Sequence, residues 1–320
     1  MKTRLTDILE VEHPVMLAGM GGVSYNKLVA AVSEAGGFGC LGASTMQPDE
    51  MVAEIRAVKQ QTSKPFGVDL LTASSRDLAG QVQMLIDEGA RVFVAGLGVP
   101  RDVIDLCHQS NVLVINMCGK VRHAVAAVEA GCDIVVAQGT EAGGHTGQIA
   151  TLPLVPQIVD AVGDRVPVVA AGGIFDGRGL AAALALGADG VWVGTRFIAT
   201  PEARAVPGYK DTLVRIHEDE TVISRAYTGK TCRVVRTTYT QYFDEHPDEL
   251  QPFPMQAGRA MRDGAFHLGG DETSDVDPTK EFMPAGQGAG AIDELIPAAE
   301  LVRRFVDEAE AALSKLGASV

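Results

Sequence analysis

The sequence predicts an α/β fold, a (β/α)8 TIM barrel with a mostly helical inserted lid near its C-terminus, and three observations lead there. Eight short apolar runs, each closing on small or polar residues, begin at positions 15, 38, 66, 92, 112, 134, 168 and 191. Stretches with helical spacing lie between them, so strands and helices alternate. The runs recur every 20 to 34 residues, the length of one right-handed strand–helix unit. Eight such units favour closure over an open doubly wound sheet, and no GxGxxG follows the first run.

In chain order the expected strands are Val15 to Ala18, Phe38 to Leu41, Phe66 to Leu70, Val92 to Ala95, Val112 to Asn116, Ile134 to Ala137, Val168 to Ala171 and Val191 to Val193. Helical segments include Asn26 to Ala35, Pro48 to Gln61, Arg122 to Ala130 and Gly177 to Leu186. The longest interval follows the sixth run and holds GTEAGGHTG, residues 139–147, ahead of a helix beginning near Pro153. Loops at the carboxyl ends of barrel strands build the active site, so chemistry is expected there. After Phe197 the rhythm changes to polar helical stretches mixed with Pro and Gly. Ala298 to Leu316 then places Leu301, Val302, Phe305, Val306, Ala309 and Leu313 at helical spacing, as an eighth barrel helix would. The expected organisation is a barrel over 1–200, an inserted lid over 201–290, and a helix returning to the barrel within 291–320.

Composition narrows the function. The chain has 320 residues and a formal charge of −14, which disfavours nucleic acid and anionic lipid as partners. No apolar run is long enough to span a membrane, and Asp7, Glu10 and Glu12 interrupt what would be a secretion signal, so the expected location is cytoplasmic. The five cysteines are odd in number and lack CxxC spacing, which reads as reduced core residues with no disulfide frame and no metal site. Glycine is abundant, 36 residues. It clusters after the first, sixth, seventh and eighth runs.

Those clusters carry the chemistry. PVVAAGGIFDGRG and GVWVGTRF close consecutive strands, and glycines there let backbone N–H groups approach a phosphate. LAGMGG after the first strand offers backbone to a flat ligand on the same barrel face. His145, in the enlarged loop, is the expected proton-transfer residue because imidazole titrates near neutrality. The other histidines, His267 among them, lack motif context and are expected to be structural. Cys40 and Cys118 lie at strand ends and are expected to be buried. Arg233, Arg236, Arg259 and Arg262 stand out on the acidic background as holders of an anionic substrate tail or as surface pairs. The acidic cluster over 244–249 and that over 271–277 lack a calcium-loop pattern and read as solvated surface.

AGMGG, AQGTEAGGHTG, PVVAAGGIFDGRGLAAALALGADGVWVGTRF and PAGQGAG together closely resemble the nitronate monooxygenase (2-nitropropane dioxygenase) family of FMN-dependent barrels, over residues 13–200. VRHAVAAVEAG is similar to the NADH:quinone reductase members, and EAGGHTG with its following Leu-Val-Pro-Gln segment to flavin-dependent enoyl-acyl-carrier-protein reductases. The resemblance implies FMN contacts at Ala18, Gly19 and Met20 along the ring system, with Asp69, Gln138, Gly143 and Gly144 beside it. It implies phosphate contacts at Ala171, Gly172, Gly173, Gly194 and Thr195, and a reach over the flavin by Gln287 and Gly288. His145 matches the family's catalytic histidine. Two departures stand out: Asp69 where many relatives have Asn, and Met117 where the quinone reductases have Lys. Both make the expected flavin surroundings less positive.

The implied activity is oxidation of nitronates or nitroalkanes with O2, NAD(P)H being a candidate reductant. The alternative keeps FMN but reduces or desaturates an enoyl or acyl thioester of CoA or acyl carrier protein, as in steroid-ring degradation, or reduces quinones with NAD(P)H. A non-catalytic phosphate-ligand sensor is the rival from another class. Expected partners are a small molecule or acyl thioester, with room for a homo-oligomer.

Overall fold

The computed structural model describes residues 1–72, 77–96, 98–267 and 269–318. Eight parallel strands form one sheet: β1 (Val15–Leu17), β2 (Gly39–Gly42), β3 (Phe66–Leu71), β4 (Val92–Gly96), β5 (Leu113–Cys118), β6 (Ile134–Gln138), β8 (Val168–Ala171) and β9 (Gly190–Val193), with β7 (Gly144–His145) lying outside it. Each strand pairs with its neighbour in the order β1-β9-β8-β6-β5-β4-β3-β2, and a parallel bridge from Met16 to Phe38 brings β2 back to β1. The ring closes, so no sheet edge is left to recruit another chain. All eight expected strands are present, with ends displaced by one or two residues.

Eight α-helices precede β9 among the described residues. After a short α1 (Arg4–Leu9), the barrel helices are α2 (Asn26–Glu34), α3 (Pro48–Gln61), α4 (Leu78–Asp87), α5 (Arg101–Gln109), α6 (Val121–Ala130) and α7 (Thr151–Val162). α8 (Gly177–Ala185) completes the seventh unit. Strand residues alternate between two cores. Those facing outward meet the helices, as Val68, Val114, Val135 and Val168 do. Those facing inward, including Met16, Val94, Ile115, Val136, Val169 and Trp192, fill the barrel.

Leu5 and Leu9 of α1 join the inner core, fully or almost fully buried, so α1 stops the amino-terminal end of the barrel. Thr3 caps it and donates through Oγ1 to the Asp189 carbonyl oxygen (2.7 Å) just before β9. With that end plugged, only the carboxyl end of the strands can open into a cavity.

Beyond β9 come α9 (Thr195–Ile198), α10 (Tyr209–Leu213), the antiparallel pair β10 (Thr221–Ser224) and β11 (Cys232–Val235), α11 (Thr238–Glu245) and α12 (Met255–Arg262). The lid therefore contains a hairpin beside its helices, and its own small core of Tyr227, Val234, Tyr239, Phe243, Ala260 and Ala265. α13 (Ala298–Gly317) buries Leu301, Val302, Phe305, Val306 and Ala309 and packs against α8 and α2, the place of an eighth barrel helix. Gly177 permits that packing, since a Cβ there would lie 2.4 Å from the Phe305 carbonyl oxygen.

Candidate active site

A cavity of about 400 Å³ opens at the carboxyl ends of the strands beneath the lid. Every expected site residue except Gln287 lines it. Gln287 is exposed and contributes only its backbone N–H, which donates to the Glu141 carbonyl oxygen (2.9 Å). Its single turn of 3-10 helix, Gln287–Ala291, directs the side chain outward while Gly288 lines the cavity, so the expected reach of Gln287 over the cofactor is corrected.

The floor is mostly backbone. Gly19 lies so close to β3 that a Cβ on it would overlap the Asp69 Cβ at 2.2 Å. Gly172 and Gly173 hold φ of +107° and +74°, a left-handed conformation that favours glycine. Their N–H groups and that of Gly194 meet no backbone acceptor among the described residues. Two adjacent strand ends, those of β8 and β9, therefore present three donors without a backbone acceptor to one place, as an anionic group requires. The PAGQG segment clamps this cradle: Gly286 N–H donates to Thr195 Oγ1 (3.0 Å), beside the Gln287 bond to Glu141.

His145 stands on β7, which pairs antiparallel with β11 of the lid, His145 opposite Cys232. Gln138, at the end of β6, donates through Nε2 to the His145 carbonyl oxygen (2.8 Å) and fixes the loop from below. Burial, aided by the nearby Lys230 ammonium, pushes the imidazole down to about 4, so it is neutral at pH 7. That corrects the expectation of titration near neutrality. The Thr228 hydroxyl donates to the Lys230 carbonyl oxygen (3.1 Å) and therefore receives Nε2–H of His145 (3.0 Å). Nδ1 is left as the lone-pair atom. Phe253 meets the ring edge-on, centroids 6.2 Å apart.

Asp69 ends β3 in the cavity floor, where burial pushes its carboxyl up to about 8. At neutral pH it is mostly protonated, so it adds a hydrogen-bond donor rather than the negative charge the sequence suggested. Cys40 is driven far up by burial and by Asp69, and Cys118 to about 12 by burial, as inert core thiols should be.

A side-chain pair at the site escaped sequence reasoning. His267 lines the cavity with its Nδ1 2.6 Å from Oε2 of Glu281, a carboxylate 1% exposed that also accepts the His267 backbone N–H (3.0 Å). The pair is fourteen positions apart with no motif between, and only the folded lid joins it. The arginines are the reverse case. Arg233 is buried on β11, donating through Nε to the Thr140 carbonyl oxygen (2.9 Å), and Arg259 pairs with Glu249 (2.9 Å) on the surface. None of the four lines the cavity. No metal-ligating cluster occurs among the described residues, and no helix among them is long and apolar enough to cross a membrane.

A closed parallel barrel with a backbone-lined anion cradle and a neutral histidine at its carboxyl mouth defines a cofactor-dependent barrel enzyme. The comparisons give the family. The nitronate monooxygenase family model matches residues 2–78 and 72–308, so the chain belongs to that family of oxidoreductases. It is 34% identical to a hydroxy-methyl-oxo-octahydroindene-carboxyl-CoA dehydrogenase of Mycobacterium tuberculosis, covering 97% of this chain and 96% of that protein. Among solved structures it is similar to FabK from Thermotoga maritima (36% identity, TM-score 0.91, 100% of both chains). It is also similar to nitroalkane oxidase from Streptomyces ansochromogenes (30% identity, TM-score 0.83, 98% of this chain and 99% of that one).

Proposed function

We propose that the protein is an FMN-dependent oxidoreductase that oxidises nitronates with O2, with His145 at the reacting carbon. The observation that carries this reading is the hydrogen bond between His145 Nε2 and Thr228 Oγ1, which leaves Nδ1 as the free ring nitrogen. At pH 7 that nitrogen is a lone pair with no proton to give. A nitronate arrives already deprotonated and asks for no proton. Reduction of an enoyl thioester needs one at carbon, which this histidine is poorly placed to supply.

The residues fit FMN. The cradle at Gly172, Gly173 and Gly194 suits its phosphate, a Cβ on Gly173 would fill the space 2.6 Å from Glu141 Oε2, and the Ala18–Gly19–Met20 backbone offers a flat wall. When bound, FMN supplies electron transfer from substrate to O2. The protein's share is positional. Protonated Asp69 offers a hydrogen bond from the floor, Gln138 holds the loop, and the lid excludes water. With a neutral nitroalkane, Nδ1 of His145 takes the α-proton, slowly because its basicity is low.

The thioester reading remains the second, favoured by a specific observation: the cavity continues beyond His145 into a side chamber larger than a small nitronate fills. The test is anaerobic. Propionate 3-nitronate should bleach the flavin of the purified holoenzyme while NADH and NADPH do not; bleaching by a nicotinamide alone would transfer the assignment to a reductase.

A further inference from the structure

A second cavity, of about 500 Å³, adjoins the first and shares Met117, Gln138 and His145 with it. Its wall carries Lys120, Lys230 and His123, and no carboxylate. In a chain of charge −14 that is a selective arrangement. Several lysines elsewhere find oxygen: Lys64 pairs with Glu12 (3.1 Å), and Lys59 and Lys280 donate to the carbonyl oxygens of Glu88 (2.7 Å) and Asp263 (2.8 Å), while Lys27, which has no such acceptor among the described residues, lies exposed on α2 outside both cavities. Lys120 and Lys230, both half-buried, have no hydrogen-bond acceptor among the described residues, and Lys230 only overlies the Phe253 ring at 5.8 Å. Two ammonium groups without an acceptor on the wall of one cavity favour an anion there. The first turn of α6, uncapped by any side chain, adds the positive end of a ten-residue helix at Lys120 and His123. The rest of the lining is mostly apolar, with Val99, Met117, Ala126 and Ala127, and carries the uncharged polar side chains of Asn116, Gln138 and Thr146.

We propose that this side chamber receives an anionic group, a carboxylate or a phosphate, of the organic substrate, held by Lys120 and Lys230 while an apolar spacer reaches back to the reacting carbon at His145. The inference rests on the oxidoreductase reading only for what happens at that carbon. It makes the enzyme selective for acids over neutral molecules of equal size.

The test is calorimetric titration of the FMN-loaded protein with 3-nitropropionate, which supplies a carboxylate, and separately with coenzyme A, which supplies phosphates; 1-nitropropane is the neutral comparison. At least one anionic probe should bind, more weakly as salt rises, and 1-nitropropane should bind less well than 3-nitropropionate if the carboxylate is the ligand. Lys120→Ala and Lys230→Ala should each weaken binding about tenfold or more. Lys120→Arg and Lys230→Arg, which keep the charge, should largely restore it, and Lys27→Ala, exposed on α2 outside both cavities, should not alter it. Binding of one probe alone identifies the group. Failure of both probes to bind, or unchanged affinity in both alanine variants with FMN retained, overturns the proposal. Lysine-dependent binding without turnover of any nitronate would leave the chamber assigned and remove the nitronate reading.

Discussion

Replacing Asp69 with Asn should stabilise the protein in a manner that grows with pH. The folded carboxyl titrates at about 8 against an ordinary value of 3.8, so between those limits the native state holds a proton that the unfolded chain releases. Stability from this group is therefore lost as pH rises, by up to about 1.4 kcal/mol per pH unit. Between about pH 5 and pH 7 the wild type should lose roughly 2–3 kcal/mol that Asp69→Asn does not lose. Asn is nearly isosteric and fits against Gly19 where Asp69 now sits. Urea unfolding of both proteins at matched FMN concentration, at several pH values across that range, reads the difference directly. With a slope of about 2–3 kcal/mol per molar urea, the gap in midpoints should widen by about 1 M. A gap that stays constant with pH would show that Asp69 is ionised in the fold, and the argument for a neutral donor in the floor would fail.

Other consequences are simpler to score. His145→Ala should keep its flavin spectrum while kcat/KM for a nitronate falls by about a hundredfold. In the wild type, kcat/KM should show no His145 ionisation between about pH 5 and 8 and should change only as pH falls toward about 4, because burial keeps the imidazole neutral. An inflection near 6.5 would refute that environment. Gly173→Ala should weaken FMN binding about tenfold, since φ of +74° costs an L-residue roughly 1–2 kcal/mol; fluorescence titration of the apoprotein measures it. Leu5→Ala should lower unfolding stability by about 2–5 kcal/mol through a cavity in the barrel plug. Its flavin spectrum should remain that of the wild type, because the plug lies at the opposite end from the site.

The barrel was legible because each strand is a short apolar run whose two faces are both buried, leaving little alternative for those residues. Glycine carried the site for a similar reason: positions that need a positive φ or a missing Cβ announce themselves. What the sequence did not disclose depends on side chains meeting across long separations. His267 and Glu281 pair only when the lid folds, and Thr228 reaches His145 across 83 residues. Burial also changes chemistry without changing letters, so a histidine and an aspartate that look ordinary in the chain become a neutral imidazole and a protonated carboxyl in the fold. α1 was missed as a plug because six residues with three buried positions give too short a pattern to read.

The pairing of β7 with β11 ties the histidine to a segment that is not part of the barrel. The residue is borne by one unit, while its hydrogen-bond partner Thr228, its neighbour Lys230 and the edge-on Phe253 all belong to another. Basicity at the reaction centre is thus a property of the cover. A relative that exchanges its cover while keeping the barrel motifs intact exchanges the acid–base character of the same histidine, so chemistries as different as oxidation and reduction can diverge on one scaffold without any alteration in the sequence signature by which the scaffold is recognised.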